Sequence, residues 1–191
     1  AGKRPGDHVP EFQYMNDMFH HISCPNPYRP PEGMEEGDLT ELLVKEFEDT
    51  IDLLGANNIG GFFAEPIQAS GGVIVPPDGY LRRIREVCKS HNILFVADEV
   101  VTAFGRLGHW FASEDEFGMI PDIICSAKGL SSGYLPIGAM IYSNEVHEVI
   151  SQSESGYFTS GFTYAGHPVS CAAALKNIEI MERENILKNA H

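Results

Sequence analysis

Three residues with side chains suited to catalysis lie thirty positions apart along the chain: Gln68, Asp98 and Lys128. Each one follows a short apolar run that is typical of a buried strand. The carboxyl ends of parallel strands meet at one edge of a sheet, and ligands bind at that edge in open α/β folds. The sequence therefore predicts a ligand site that combines an amide, a carboxylate and a primary amine.

A lysine and an aspartate at one sheet edge fit the chemistry of pyridoxal phosphate. A lysine binds this cofactor as a Schiff base, and an aspartate partners the protonated pyridine nitrogen, which keeps the ring an electron sink. Lys128 would take the first role and Asp98 the second, and small residues around Lys128 leave room for a cofactor. Spacing alone leaves alternatives open, with Lys128 as a solvated surface charge and Asp98 as a turn cap or an ion-pair partner of Arg106.

Other polar residues near the predicted elements have more than one possible role. Glu65 and Gln68 follow the first strand and could simply accept hydrogen bonds from loop amides. Thr163 precedes the last predicted helix, where a hydroxyl and a helix N-terminus would suit a phosphate, although a capping or plain loop role is the alternative. Metal binding at His20 and His21 is not favoured, because adjacent side chains point in different directions on any regular element.

The pattern of apolar residues alternates between strand and helix. We expect a Pro-rich loop at residues 1–37 and an α/β core at residues 38–187. The predicted strands are 59–64, 93–97, 121–125 and 138–142, and the predicted helices are 38–54, 80–91 and 168–184. This order predicts a mostly parallel sheet with helices on both faces.

The composition is that of a globular protein with a strong acidic excess. Thirteen Lys and Arg against 27 Asp and Glu give a formal net charge of −14 over 191 residues. Nucleic-acid binding needs a basic face, so we expect small-molecule partners instead. Four widely spaced cysteines favour free thiols and a cytoplasmic location. No apolar stretch reaches the length of a membrane span, and we expect no membrane partner.

Four stretches of the sequence, in this order, resemble the characteristic motifs of class III pyridoxal-phosphate aminotransferases. They are AEPIQASGGVIVPPDGY at 64–80, LFVADEVVTAFGR at 94–106, PDIICSAKGLSSGYLPIGA at 121–139 and FTYAGHP at 162–168. The resemblance covers about residues 11–187. It implies the large domain of a fold-type I pyridoxal-phosphate transferase, present here in incomplete form.

The resemblance also implies roles for individual residues. Lys128 would bind the cofactor as a Schiff base and move the proton between substrate and cofactor, and Asp98 would bind the pyridinium nitrogen. Gln68 would donate a hydrogen bond to the phenolic oxygen, and Val100 would pack on one face of the ring. Glu65 would be a supporting residue.

The resemblance also implies a second subunit and segments on either side of this chain. Family members are homodimers with shared active sites, so Thr163 would bind the cofactor phosphate of the neighbouring subunit. A phosphate-binding Gly-Ser loop and a ring-stacking aromatic would lie upstream. A small domain with a carboxylate-binding arginine would lie downstream. We expect the chain to be the central part of a large domain, with little or no activity by itself.

The segment CPNPY at 24–28 most resembles one subgroup of the family. That subgroup transfers amino groups from terminal amines, polyamines or ω-amino acids to a keto acid such as pyruvate. Another class III reaction, by an aminomutase or a phospho-lyase, stays open, as does a catalytically silent scaffold subunit. The presence of Lys128, Asp98 and Gln68 together argues against the silent subunit.

Overall fold

The computed structural model of the chain describes residues 11–15, 17–34 and 36–190. Its strands form one sheet with neighbours in chain order: β1 (Gly61–Ala64), β2 (Leu94–Asp98), β3 (Ile123–Ser126) and β4 (Ala139–Tyr142). The pairs β1–β2 and β2–β3 are parallel, and β4 runs antiparallel to β3. The mostly parallel α/β sheet expected from the sequence is therefore confirmed.

The helices of the described residues are α1 (Glu36–Leu54), α2 (Tyr80–Ser90), α3 (Ala112–Asp115), α4 (Asn144–Ser151) and α5 (Pro168–Arg183). The long helices α1, α2 and α5 lie where the periodicity predicts them, although α1 begins two residues earlier than expected. The helices α3 and α4, which are only four and eight residues long, were not predicted. Helices this short hold too few turns for a clear apolar period. None of the described helices is long and apolar enough to cross a membrane.

The segment before α1 was predicted to be loop. Residues 1–10, 16 and 35 of that segment lie outside the described residues. The described residues from 11 to 34 contain turns and bends and form neither helix nor strand. Ile22 and Met34 pack against the apolar core, so part of this loop is held to the domain.

The apolar core lies between one face of the sheet and the helices α1 and α2. The ring of Phe62 on β1 lies 4.8 Å from that of Phe47 on α1 and 5.5 Å from that of Phe95 on β2. Leu43 of α1 and Ile84 of α2 are almost fully buried in the same cluster. Burial of such side chains stabilises the fold by roughly 1.5–3 kcal/mol each, so this layer fixes the strands in place.

The opposite face of the sheet is more open. Successive residues of a strand point to opposite faces, so Phe63, Leu94 and Asp98 lie on the face that α1 and α2 do not cover. Phe63 is 66% exposed and Leu94 is 38% exposed. The helical cover predicted for both faces is thus missing at these two positions within the described residues. Asp98 shares this open face.

A half-buried ion pair holds the strands β2 and β3 to the helix α2. Asp122, directly before β3, accepts hydrogen bonds from the backbone N–H of Phe95 at 2.7 Å and from Nη2 of Arg85 at 2.7 Å. The Nε of Arg85 also donates to the carbonyl of Ile120 at 2.9 Å. These bonds fix where β3 starts relative to β2, and hence where both strands end.

Candidate active site

The register of the sheet places three strand ends at one edge. Ala64, the last residue of β1, pairs with Ala97, and Asp98, the last residue of β2, pairs with Cys125. The segments that carry Gln68, Asp98 and Lys128 therefore leave the sheet next to one another. This is the edge at which ligands bind in parallel α/β folds.

Asp98 ends β2 with an exposed carboxylate. Its Oδ1 accepts a hydrogen bond from the backbone N–H of Val100 at 3.1 Å, so the predicted turn-capping role is present. Burial, and then the charge of Asp98, raise the pKa of the Cys125 thiol on the neighbouring strand. The cysteine side chain consequently stays neutral beside the carboxylate at neutral pH.

Lys128 lies two residues after the end of β3, at the start of a 3-10 turn, Lys128–Leu130. Its side chain is exposed and its backbone has a φ of 37°, which is unusual for a residue other than glycine. Among the described residues no ion pair involves Lys128 or Asp98. The expected alternative of an Asp98–Arg106 pair is therefore wrong, because the Asp98 carboxylate is bound by a local amide instead.

The turn that begins at Lys128 packs tightly against another loop. A Cβ atom added to Gly129 would lie 2.9 Å from Cβ of Phe104 and 3.0 Å from its carbonyl oxygen. Phe104 is itself held, since its N–H donates to the carbonyl of Trp110 at 2.8 Å. Only glycine fits between these groups without displacing backbone.

A second carboxylate, Glu99, follows Asp98 directly and is completely buried. Its Oε2 accepts hydrogen bonds from the N–H of Ala112 at 2.8 Å and from the hydroxyl of Thr102 at 3.1 Å. Its Oε1 accepts hydrogen bonds from the N–H of Ser113 at 2.9 Å and from the Ser113 hydroxyl. Glu99 thus fixes the loop from β2 to α3. Glu99 was not among the predicted site residues, although two adjacent acidic residues after an apolar strand are a visible signal.

The turn after β1 orders Gln68 and Glu65. The backbone of Gln68 exchanges hydrogen bonds with that of Ile74 at 3.0 and 3.1 Å. Oε2 of Glu65 accepts the N–H of Ala69 at 3.1 Å, so Glu65 has the loop-amide role that was one of its two interpretations. The thiol of Cys24 donates to Oε1 of Gln68 at 3.3 Å, which leaves the Gln68 amide group as a donor. Burial raises the pKa of the Cys24 thiol, which favours the protonated, donating form.

Val100 and Thr163 differ in where they lie. Val100 is half-buried, two residues beyond the end of β2. Thr163 is exposed in the segment that leads into α5. It does not cap that helix, because the N-cap is His167, whose Nδ1 accepts the N–H of Ser170 at 3.4 Å. The structure therefore brings Val100 to the sheet edge and leaves Thr163 on an outer loop.

The donor set at this edge fits pyridoxal phosphate and does not resemble a metal site. Within the described residues no group of three or more His, Cys, Asp or Glu side chains could hold a metal ion. The edge instead offers the exposed amine of Lys128, which has no carboxylate partner in the part of the chain that the structure describes, and the exposed carboxylate of Asp98. An amine of this kind can bind an aldehyde, and a carboxylate can bind a protonated ring nitrogen.

Comparison with known proteins gives the family. The sequence profile of the family described as aminotransferase class-III matches residues 6–191. The chain belongs to this family. The resemblance noted in the four sequence motifs is thereby confirmed.

Two aminotransferases match most of this chain. A putrescine–pyruvate aminotransferase from Pseudomonas aeruginosa is 45% identical over 168 residues, or 88% of this chain and 36% of the relative. A mitochondrial gamma-aminobutyrate transaminase from Solanum lycopersicum is 46% identical over 174 residues, or 90% of this chain and 34% of the relative. The chain spans about a third of the length of these relatives.

A solved structure of an amine transaminase extends the likeness to the fold. An amine transaminase from an uncultivated Pseudomonas species, crystallised in a PLP-bound form, is 44% identical with a TM-score of 0.81. The match covers 86% of this chain and 37% of that chain. The chain therefore has the fold of part of a fold-type I pyridoxal-phosphate transaminase.

Proposed function

We propose that the intact protein is a pyridoxal-phosphate-dependent transaminase and that this chain is part of its large, cofactor-binding domain. The observation that carries the proposal is that Lys128 and Asp98 lie at the same edge of the sheet. Asp98 ends β2 and Lys128 follows the adjacent parallel strand β3, in a chain of the class III family. Both side chains are exposed at the edge where a ligand would bind, which supports a shared role.

The two residues would divide the chemistry between them. Pyridoxal phosphate, when bound, supplies an electron sink that stabilises negative charge on the carbon next to the substrate nitrogen. The Asp98 carboxylate would hold the proton on the pyridine nitrogen. Nζ of Lys128 would bind the aldehyde carbon covalently, and after its release it would carry the proton from one carbon to the other.

Other residues of the same edge would orient the cofactor. The Gln68 amide would donate a hydrogen bond to the phenolic oxygen, which agrees with its Oε1 being occupied by the Cys24 thiol. Val100 would pack on one face of the ring. Glu65 would keep the turn that carries Gln68 in place through its bond to the N–H of Ala69.

The protein would act as a homodimer with shared active sites. Thr163 would bind the cofactor phosphate of the neighbouring subunit. Support comes from the exposure of its segment, in which the flanking Phe162 and Tyr164 are 88% and 80% exposed. Large aromatic side chains of this kind are enriched at subunit interfaces.

The proposed substrates are a terminal amine, a polyamine or an ω-amino acid as donor and a keto acid such as pyruvate as acceptor. The names of the relatives support this class, since one names putrescine and pyruvate and another gamma-aminobutyrate. A cytoplasmic location stays a prediction from the cysteine pattern. The isolated chain is expected to have little or no activity, because Lys128 and Asp98 are open to water.

The test uses the full-length protein with putrescine and pyruvate, and the formation of alanine is measured. Lys128→Ala is expected to lower turnover by at least about 10²–10⁴-fold, the usual contribution of a positioned acid–base group. Lys89→Ala is the matched control, because Lys89 is exposed in the last turn of α2. Borohydride reduction of the cofactor-loaded protein should label the peptide that contains Lys128.

Two results would reject the proposal. One is a Lys128→Ala variant that forms alanine at the rate of the control. The other is consumption of the amine with no alanine formed, which would favour an aminomutase or a phospho-lyase. Labelling scattered over surface lysines would reject the role of Lys128 itself.

A further inference from the structure

A single amide on α5 contacts the loop that follows Lys128. Nδ2 of Asn177 donates hydrogen bonds to the carbonyls of Gly129 at 2.9 Å and of Leu130 at 3.1 Å. In return, the hydroxyl of Ser132 donates to Oδ1 of Asn177 at 2.7 Å. Both ends of this half-buried side chain are thus used on residues 129–132.

The loop needs such support because its backbone is strained. Lys128 has a φ of 37° and Ser132 a φ of 52°, and neither is a glycine. The left-handed conformation is energetically unfavourable for an L-residue other than glycine. Strained residues of this kind persist only where their surroundings hold them, and they are concentrated at functional sites.

The two sides of the loop are held by different elements. On one side Gly129 lies against Phe104, close enough that an added Cβ would clash. On the other side Asn177 binds two consecutive carbonyls, of which that of Gly129 also accepts the N–H of Ser132 at 3.3 Å. Residues 128–132 are therefore held between these two sets of contacts, and Lys128 is the first residue of this loop.

We propose that Asn177 is a positioning residue for Lys128, which fixes the direction in which the lysine side chain leaves the backbone. This inference rests on the proposed function, in which Nζ must lie within hydrogen-bond reach of the carbon atoms between which it moves a proton. Asn177 itself touches neither substrate nor cofactor in this role. A displacement of the reacting group by about 1 Å can lower a rate by about 10²-fold.

The test compares Asn177→Asp with Asn57→Asp in the full-length protein. The first change keeps the acceptor for Ser132 but removes both donations to the loop carbonyls. The second is the same chemical change at an exposed residue outside the site. Three measurements are made with pyridoxal phosphate, putrescine and pyruvate. The first gives kcat and KM, and the second gives the kinetic isotope effect of deuterium at the reacting carbon of the amine. The third gives the rate at which added cofactor binds covalently to Lys128.

Asn177→Asp is expected to lower kcat by about 10–100-fold with little change in KM. The isotope effect should rise, because the proton transfer that uses Lys128 becomes slower than the other steps. Added cofactor should bind covalently to Lys128 about tenfold more slowly. The rate is followed by absorbance, and the labelled peptide is mapped after borohydride reduction. Ser132→Ala removes only the hydrogen bond from the Ser132 hydroxyl to Asn177. It should change kcat, the isotope effect and the rate of cofactor binding in the same direction by a smaller factor.

The outcomes separate this inference from the proposed function. If Asn177→Asp matches Asn57→Asp in all three measurements, the positioning role of Asn177 is wrong. The proposed transaminase function is not affected by that result. If the unmodified protein binds the cofactor at Lys128 but forms no alanine from pyruvate with either putrescine or gamma-aminobutyrate as donor, the proposed transaminase function is wrong. The rate of cofactor binding at Lys128 still tests the role of Asn177. If Asn177→Asp does not fold and Ser132→Ala behaves as the unmodified protein, the inference is rejected.

Discussion

The buried carboxylate of Glu99 offers a sharp test of how the site is held. In Glu99→Gln one oxygen becomes an NH2 group, with no change of shape. Whichever way the amide turns, this group faces a hydroxyl and one backbone N–H, from either Ala112 or Ser113. The hydroxyl can rotate and accept a hydrogen bond, whereas the backbone N–H cannot.

The expected cost follows from the bonds that are lost. One buried N–H without an acceptor costs about 1–3 kcal/mol, and hydrogen bonds to a charged group are stronger than those to a neutral amide. We therefore expect the free energy of opening of the loop from β2 to α3 to fall by about 2–4 kcal/mol. Since about 1.4 kcal/mol corresponds to a factor of ten, the open population rises by roughly 30- to 800-fold.

Hydrogen exchange on the full-length protein measures this change directly. Peptides that contain Ala112 and Ser113 should exchange faster by about that factor, because exchange through local opening follows the open population. The control is Glu114→Gln, which removes the same charge at an exposed position of α3. Exchange in Glu99→Gln at the rate of the control would refute the argument, since it would mean that the carboxylate does not hold the loop.

Two further predictions concern a glycine and a thiol of the same domain. Gly129→Ala should destabilise the protein by about 1–3 kcal/mol through the clash with Phe104, while Gly60→Ala should have little effect, as judged by thermal unfolding. Burial raises the pKa of the Cys88 thiol from 9.0 to about 12. Between pH 9.0 and about 12 the Cys88 thiol loses its proton in the unfolded chain but keeps it in the folded protein. The free energy of unfolding should therefore fall as pH rises, by up to roughly 1.4 kcal/mol per pH unit. Cys88→Ala should flatten that slope in denaturant unfolding, and an unchanged slope would refute the assignment to Cys88.

The sheet could be predicted from the sequence because its strands are short, apolar and separated by helices. The four predicted strands overlap β1, β2, β3 and β4. The antiparallel direction of β4 was not predicted for that strand specifically, since the apolar pattern of a strand carries no information on its direction. The short helices α3 and α4 were missed because four and eight residues hold too few turns for a clear apolar period. The start of α3 also depends on the distant Glu99, whose carboxylate accepts the N–H groups of Ala112 and Ser113.

The candidate site divides in the same way. Its reactive residues could be proposed from chemistry and spacing, because the type of a residue and its place after a strand are local properties. The contacts that support these residues could not be proposed from the sequence. The bond between Cys24 and Gln68 joins residues 44 positions apart, and nothing in either local sequence indicates it.

The sequence by itself determined that Gln68, Asp98 and Lys128 follow successive strands and that their chemistry suits pyridoxal phosphate. The order of strand and helix suffices for this, because parallel strands bring their carboxyl ends to one edge. Only the tertiary structure decided that Glu99 is buried beside an exposed Asp98. It also decided that Asn177 reaches a loop 48 residues earlier in the chain. Burial and long-range hydrogen bonds depend on which surfaces meet when the chain folds, and that information is spread over all the elements that pack together.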